Sequence, residues 1–257
     1  MTIIILSAIA FVVAILTFFS GFGLGTILLP VFVLFFPVDV AIALTGVVHF
    51  FNNIFKLILV GRGADRSVFI KFGIPAIIAS FLGALVLVHL ADLDPLFSYT
   101  LWGRQFDIYP IALTISILLI TFGLLDLIPA LDKLEFGKDK LPVGGFLSGF
   151  FGGLSGHQGA LRSAFLIKAG ISKTAFIGTA VVISSLVDFT RLGVYATRMS
   201  KSGLIENWPL LTIVTLSAIA GAYIGNLVLK KITLRFIKIT IGIMLMIIGI
   251  ALGAGWI

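Results

Sequence analysis

The residues best suited to chemistry lie in one glycine-rich stretch near the middle of the chain. From Gly152 to Gly159 four of eight residues are glycine, the others include Ser155, His157 and Gln158, and Arg162 follows. Because each glycine costs a helix interior about 1 kcal/mol relative to alanine, a helix should break here. The second half-helix would begin with unpaired N–H groups at its positive end, which favour an anion. The stretch therefore predicts an anion site; the alternative is a glycine packing contact, with Arg162 reaching water.

A second glycine-rich stretch lies near the start of the chain. Gly21, Gly23 and Gly25 alternate with apolar residues, and Thr26 and Pro30 follow. The same reasoning predicts a broken helix, with its second half beginning near Thr26. Two half-helices that begin deep in an apolar interior could share one anion site. Across the two breaks, the residues predicted to contact the anion are Gly23, Gly25, Thr26, Ser155, His157, Gln158, Gly159 and Arg162.

Polar side chains also occur inside apolar segments elsewhere. Asn52 and Asn53 lie mid-segment, where buried amides need partners, and either helix packing or contact with the anion would supply them. Asp188 and Arg191 lie three residues apart, on one face of a helix. They form either a structural ion pair or a gating pair in which Asp188 carries a proton. His157 is a further coupling candidate, because histidine takes up a proton near neutral pH.

Composition places the chain among proteins that cross a membrane several times. Hydrophobic residues make up 60% and charged residues 11%, with a mean hydropathy of +1.21, whereas soluble domains carry about 25% charged residues. The net charge of +7 comes from basic residues in short loops, which set membrane orientation, so nucleic acid is not an expected partner. Lys56 should extend its amine to water, and His89 and Asp126 lie near segment ends, where we expect them at the membrane–water boundary.

Metal and enzyme chemistry are not expected. The chain has no cysteine, which excludes disulfides and thiolate sites, and its three histidines lack the spacing of metal ligands. An enzyme would need a nucleophile and base or a metal, and the sole possible constellation is His157 with Asp188 or Ser155, which no spacing supports. We therefore expect no cofactor, no metal and no catalytic residue.

The sequence predicts two repeats joined by a charged linker. Residues 1–130 form the first repeat, residues 131–141 a charged cytoplasmic linker, and residues 142–257 the second repeat. Phe18-Phe19 corresponds to Phe150-Phe151, and Gly25 corresponds to Gly159. Each half shows a glycine break, a half-helix, a polar helix, a small-residue helix and a final helix. Internal duplication of this kind is typical of secondary transporters.

The number of membrane crossings in each half depends on how the first break folds. Residues 2–36 would make a helix of about 52 Å, against a hydrocarbon core of about 30 Å, so the segment is a bent span or a hairpin. A bent span leaves no bias of basic residues between the two sides. A hairpin places three on one side, Arg104, Arg198 and Lys201, and twelve on the other: Arg62, Arg66, Lys71, Lys133, Lys138, Lys140, Lys168, Lys173, Lys230, Lys231, Arg235 and Lys238. Because cytoplasmic loops are rich in Lys and Arg, we predict hairpins.

Hairpins imply an inverted duplication. Each half then crosses the membrane a net three times. The predicted fold is an all-α polytopic membrane protein with two inverted repeats, each a broken helical hairpin plus three transmembrane helices. Both termini would be extracytoplasmic, and the two breaks would meet near the midplane, as alternating access requires.

The motifs resemble those of the TauE/SafE sulfite exporter family. The resemblance rests on the first break with its half-helix and proline, Gly21 to Pro30, on its repeat after the linker, on the pairs Thr45-Gly46 and Thr179-Ala180, and on the small-residue helices. It covers essentially the whole chain. In the second break the sequence reads Ser-Gly-His-Gln-Gly, and Ala164 stands where the family has proline. The resemblance implies a small integral-membrane transporter of anions such as sulfite or organosulfonates.

The function expected is that of a secondary transporter that exports a small sulfur-containing anion across the cytoplasmic membrane. Its partners would be the anion and the lipid bilayer, with protons as a candidate coupling ion. One alternative is an importer or channel for another small anion, although no channel filter motif is visible. Another is a membrane scaffold or enzyme. A scaffold would not need Arg162 at a glycine break, and the oligomeric state does not follow from the sequence.

Overall fold

The computed structural model describes residues 1–18, 23–128, 136–198, 206–228 and 234–257. Ten helices account for most of these residues: α1 (Thr2–Thr17), α2 (Leu24–Val33), α3 (Val38–Val60), α4 (Arg66–Leu90), α5 (Pro110–Leu127), α6 (Leu141–Ser155), α7 (Gly159–Leu166), α8 (Lys173–Tyr195), α9 (Trp208–Val228) and α10 (Leu234–Gly253). A π-helical turn, Phe69–Gly73, lies inside α4. Two strands, β1 (Phe97–Leu101) and β2 (Arg104–Ile108), lie between α4 and α5.

Five of the described helices have the length and composition of membrane spans. By length and composition, α3, α4, α5, α8 and α9 could each cross a membrane, and α1, α2 and Lys238–Gly253 of α10 are shorter apolar helices. Large apolar side chains face outward, among them Ile58 (76% exposed) and Phe189 (67% exposed). An apolar surface this extensive would cause aggregation in water but suits contact with lipid. The predicted class, an all-α polytopic membrane protein, is confirmed; the inverted relation of its halves stays a prediction.

The connection between α4 and α5 contains a β-hairpin that the sequence did not predict. Its two strands pair antiparallel, and Trp102 and Gly103 form the turn with φ angles of 52° and 73°. Positive φ at both positions is the requirement of a type I′ turn, whose twist matches that of the strands. Hydrogen bonds from Ser98 and Gln105 stabilise the ionised carboxylate of Asp107 and lower its pKa.

The second glycine break folds as a hairpin. Gly144, at the start of α6, lies against the ring of Phe165, at the end of α7. Near the break itself, the Ser148 hydroxyl donates to the Gln158 carbonyl at 2.9 Å. Contacts between the start of one helix and the end of the next occur when the chain reverses direction. α6 and α7 therefore do not form one bent span.

The first break is described only at its flanks. A Cβ atom on Gly23 would lie 2.8 Å from Cγ2 of Thr17, so the start of α2 lies against the end of α1. The connecting residues 19–22 lie outside the described residues, and with them Gly21 and Phe22 of the predicted break. The hairpin that the basic residues predicted therefore stays a prediction for the first break.

Glycines let two pairs of helices pack with their backbones in contact. Gly149 of α6 faces Ala76 of α4, and the neighbouring contacts repeat every four residues in the same direction along both helices, with Gly145 on Phe72 and Gly153 on Ser80. α9 packs on α1 in the same way, with Gly221 on Phe11 and Gly225 on Ile15. In both pairs the residue numbers rise together, so the helices run parallel. Small residues are what permit such close approach in membranes.

The remaining large helix contacts are antiparallel. α3 packs on α8, with Gly46 beside Arg191, and Gly63, in the turn that follows α3, lies beside Thr174. α5 packs on α10, with Gly123 beside Gly242. Buried apolar side chains form one large cluster and a smaller one around Phe72 of α4.

The charged linker is described only in part. Residues 131–135 of the predicted linker 131–141 lie outside the described residues. Phe136 stacks on Phe165 at a centroid distance of 4.3 Å, which ties the end of the linker to α7. The division into residues 1–130, 131–141 and 142–257 stays a prediction.

Candidate functional site

Each break contains a glycine whose backbone conformation is unfavourable for other residues. Gly23 precedes α2 with a φ of 113°, and Gly156 ends α6 with a φ of 81°. Side chains are strained in this left-handed region, so glycine is required at both positions. α2 begins at Leu24 and α7 begins at Gly159, within two residues of the predicted starts.

Asp188 is the centre of a buried polar cluster where α8 meets α3. Its Oδ2 lies 2.6 Å from Nδ1 of His49 and accepts from the Asn53 amide at 3.0 Å. Its Oδ1 accepts from Arg191 Nε at 3.0 Å, and Arg191 Nη2 lies 2.9 Å away as an ion pair without hydrogen-bond geometry. The Gln158 amide donates to the same oxygen at 3.4 Å. These residues are called the Asp188 cluster below.

Asp188 and Arg191 form the ion pair that their spacing predicted. Both side chains are buried, at 0% and 1% exposure. A Cβ atom on Gly156 would lie 2.9 Å from Arg191 Nη1, so the glycine break leaves room for the guanidinium. The second break and α8 are thereby packed as one unit. A role of this pair in gating stays a proposal.

Arg162 extends the Asp188 cluster into α7. It lies in the first turn of α7 and is 2% exposed, so the alternative in which it reaches water is wrong. Its Nη1 donates to Gln158 Oε1 at 3.1 Å and to Ser184 Oγ at 2.5 Å. Since Gln158 also donates to Asp188, Gln158 connects Arg162 with the Asp188 carboxylate.

His157 lines a small cavity between the two half-helices. The cavity has a volume of about 10 Å³ and is lined by Thr26, Phe122, Asp126, His157 and Ala160. This is room for about one water molecule. Thr26 lies near the start of α2 and Ala160 near the start of α7, so both half-helices begin at this cavity. We call it the His157 cavity.

The ring of His157 is held in a fixed orientation. It stacks on Phe122 at a centroid distance of 5.5 Å and an interplanar angle of 8°. Its Nδ1 lies 3.3 Å from the Ser155 hydroxyl, which itself donates to the Phe151 carbonyl. Its Nε2 is buried and has no hydrogen-bond partner among the described residues. Buried polar atoms are nearly always partnered, so this nitrogen is suited to a ligand or water.

Of the other residues predicted to contact the anion, Gly25 and Asn53 lie at the Asp188 cluster, whereas Asn52 has no contact with it among the hydrogen bonds described. Gly25 lies against His49, where an added Cβ atom would be 3.3 Å from the ring, and thus touches the Asp188 cluster. Asn53 belongs to that cluster. Asn52 is buried, and neither end of its amide has a partner within the described part of the chain. Both explanations of Asn52, packing and anion contact, therefore stay open.

Lys56 and Asp126 are both buried, and for Lys56 this makes the expectation wrong. Lys56 is 6% exposed and lies 5.4 Å from the ring centre of Phe18, so it does not extend to water. Asp126 is 5% exposed and lines the His157 cavity; whether it lies at the depth of the membrane boundary stays a prediction. The end of α5 is covered by other helices, which its apolar sequence alone cannot reveal.

The sequence analysis also missed His49. It precedes Asn53 by four residues, one helical turn, and this spacing was a usable signal. Its partner Asp188 is 139 residues away, which no local pattern predicts. Among the described residues, no group of three His, Cys, Asp or Glu side chains could hold a metal ion.

Comparison with known proteins gives one result. A family model described as Sulfite exporter TauE/SafE matches residues 6–252. Neither the search of curated proteins nor the search of solved structures finds a match. Because the matched residues span nearly the whole chain, this protein belongs to the TauE/SafE sulfite exporter family.

Proposed function

We propose that the protein is a secondary transporter that exports a small sulfur-containing anion, sulfite or an organosulfonate, by alternating access. Membership of the family implies a multi-pass membrane transporter of sulfur anions. The observation that carries the proposal is that Thr26, in the first turn of α2, and Ala160, in the first turn of α7, line one cavity. Each start is equivalent to about half a positive charge and offers free N–H groups.

The buried charges favour an anion as cargo. In the described residues, the buried basic side chains are Lys56, Arg162 and Arg191, and the buried carboxyl groups are those of Asp126 and Asp188. Arg191 pairs with Asp188. The excess of positive charge, added to the two helix dipoles, repels a cation and offsets the hydration that an anion loses.

The helix directions support an inverted duplication. Take α1 as upward: the hairpin sends α2 downward, and alternation makes α3 upward, α4 downward and α5 upward. α6 runs parallel to α4 and is therefore downward. The second hairpin then makes α7 upward, and alternation makes α8 downward and α9 upward. α9 is thus parallel to α1, as the contacts between these two helices require. The first helix of each half thus packs on the fourth helix of the other half. Inverted halves around a central site are the usual build for alternating access.

Opening of the cavity would involve the two half-helices. With room for about one water molecule, the His157 cavity is too small for an oxyanion of sulfur. Entry therefore requires α2 and α7 to move apart. The Asp188 cluster joins α3, α8 and the second break, so Asp188 and Arg191 are proposed to limit this movement as a gate.

Flux in proteoliposomes tests the function. Vesicles with the purified protein should release sulfite, thiosulfate or sulfoacetate faster than empty vesicles, and chloride should not be released faster. Flux of chloride alone would favour a channel for another anion. No flux of any sulfur anion from vesicles that contain folded protein would contradict the proposal.

Substitution of Gly25 should abolish flux. The side chain of Gly25→Leu would enter the space of the His49 ring, since its Cβ atom already lies 3.3 Å from Cδ2. We expect folded protein in which His49 is displaced from Asp188 and flux falls at least 10-fold. Gly25→Ala is the matched control and should keep a measurable fraction of the activity. Full flux in Gly25→Leu would show that the first break is a packing device.

Membrane orientation can be read from single cysteines, because the chain has none of its own. We propose that the protein lies in the cytoplasmic membrane with both termini and the β-hairpin outside. Ser98→Cys should react with an impermeant maleimide added to intact cells, and Lys138→Cys should react after lysis. Both positions are exposed. Reaction of position 138 in intact cells would contradict the hairpin topology.

A further inference from the structure

We propose that Lys56 and Asn52, both on α3, form a binding site for the anion on the cytoplasmic side of the His157 cavity. The inference rests on the proposed function and deepens it, because it names where an exported sulfur oxyanion first binds. It follows from a buried amine without a carboxylate partner and a buried amide without hydrogen-bond partners, both within the described part of the chain.

Lys56 is a buried cation that no acid among the described residues neutralises. It is 6% exposed, and the ion pairs of the described residues join other groups. Its ammonium lies 5.4 Å from the ring centre of Phe18. A cation–π contact offsets only part of the cost of burying an ammonium. A charged side chain that is kept inside a membrane at such a cost indicates a function.

A second buried cation lies near Lys56. Arg162 of α7 is close enough to Lys56 for the two positive charges to repel each other. Asp188 attracts Arg162 as well, but the Asp188 carboxylate already pairs with Arg191. Repulsion between neighbouring buried cations opposes the anion-free state, and an anion bound beside both of them would offset this repulsion.

Asn52 adds polar contacts one helical turn before Lys56. Its side chain is 0% exposed, and neither its amide nitrogen nor its carbonyl oxygen has a hydrogen-bond partner among the described residues. Residues four apart lie on one face of a helix, and long side chains point back toward the preceding turn. Lys56 therefore extends toward Asn52, and an anion at this face of α3 would accept hydrogen bonds from both.

A sulfur oxyanion suits these donors. The flexible four-carbon stem of lysine lets the ammonium leave the ring of Phe18 for an oxygen of the anion. A sulfite or sulfonate group carries several oxygens, so that different oxygens can accept from Lys56, from Asn52 and from Arg162 at the same time. Hydrogen bonds between charged partners are the strong ones, so Lys56 and Arg162 would supply most of the affinity.

The position of this pair along α3 suits the arrival of an exported anion. Gly25, next to the cavity-lining turn of α2, lies against His49, so His49 marks the level of the His157 cavity on α3. Asn52 and Lys56 follow His49 by about one and two helical turns. In the proposed topology α3 runs toward the cytoplasm, so both lie on the cytoplasmic side of that level. An anion bound there needs no space inside the closed cavity until α2 and α7 move apart.

Calorimetry and thermal unfolding of the purified full chain test the role of Lys56, with methanesulfonate as the probe. Lys56→Met keeps an apolar stem beside Phe18 and removes the charge. Without the probe, this variant should unfold at a higher temperature than the wild type, because a buried charge that lacks a carboxylate partner is removed. Its affinity for methanesulfonate should fall about 10-fold or more, the loss expected for a hydrogen bond to a charged group.

Asn52→Leu is an independent second variant of similar side-chain volume. It removes two polar atoms that lack partners, so it should also be more stable than the wild type and bind methanesulfonate more weakly. Asn53→Leu is its matched control: the Asn53 amide donates to Asp188, so its loss should lower the unfolding temperature. Lys71→Met removes an exposed charge and should match the wild type in stability and in affinity.

A purely structural role of Lys56 and Asn52 predicts the opposite signs. Wild-type affinity in Lys56→Met or in Asn52→Leu overturns the proposal, and so does failure of Lys56→Met to fold, since a more stable protein is expected. Methanesulfonate should raise the Tm of the wild type and have little effect on the Tm of either variant. Sulfur-anion flux that is equal in the wild type and both variants rejects this inference and leaves the proposed function intact. Absence of both methanesulfonate binding and sulfur-anion flux in the wild type rejects both.

Discussion

Replacing Asp188 with alanine should lower the free energy of unfolding by about 3–5 kcal/mol. The change leaves the guanidinium of Arg191, 1% exposed, without its counter-charge. It also removes the acceptor that contacts His49 and Asn53. Breaking a buried ion pair costs this much because the remaining charge cannot be solvated. Thermal unfolding in detergent measures the loss, as a large drop in Tm.

The double variant Asp188→Ala with Arg191→Met separates charge from packing. It should be more stable than the sum of the two single variants, because no charge is left unpaired. Asp139→Ala is the matched control, since Asp139 pairs with Lys140 at 3.4 Å on the surface and both side chains are more than half exposed. That change should have a negligible effect, as surface pairs do. Equal stability of Asp188→Ala and Asp139→Ala would show that the Asp188 cluster does not stabilise the fold.

Replacing Arg162 with glutamine should weaken anion binding about 100-fold. If the anion binds within about 6 Å of the Arg162 guanidinium, the charge contributes about 3 kcal/mol at an effective dielectric constant of 20, which corresponds to that factor. Glutamine keeps a polar side chain near Gln158 and Ser184 but removes the charge. Arg162→Lys should lie between wild type and Arg162→Gln, because lysine keeps the charge and loses the planar donor geometry. Affinity for methanesulfonate, measured by calorimetry, gives the ranking.

The control for Arg162 is an arginine outside the site. Arg62→Gln removes the same charge from an exposed loop, where water and salt screen it. We expect wild-type affinity. Equal affinity in the wild type, Arg162→Lys and Arg162→Gln would show that Arg162 is structural, and that its hydrogen bonds to Gln158 and Ser184 are its whole role.

The sequence by itself determined the features that depend on local chemistry. The helix breaks follow from glycine, and α2 and α7 begin at Leu24 and Gly159, close to the predicted starts. The ion pair of Asp188 and Arg191 follows from a spacing of three residues on one helix. The membrane class follows from composition, because apolar segments of this length can be accommodated only in lipid.

Only the tertiary structure decided which distant residues meet. His49 contacts Asp188 across 139 positions, because α3 and α8 pack antiparallel and no periodicity along one helix encodes its neighbour. Arg162 donates hydrogen bonds to Gln158 and Ser184, partners that its local sequence does not indicate, and its contact with an anion stays a prediction. Asp126, near the end of α5, is buried and lines the His157 cavity. Burial at a helix end depends on what covers that end, and this is a property of the packed helices, not of the segment.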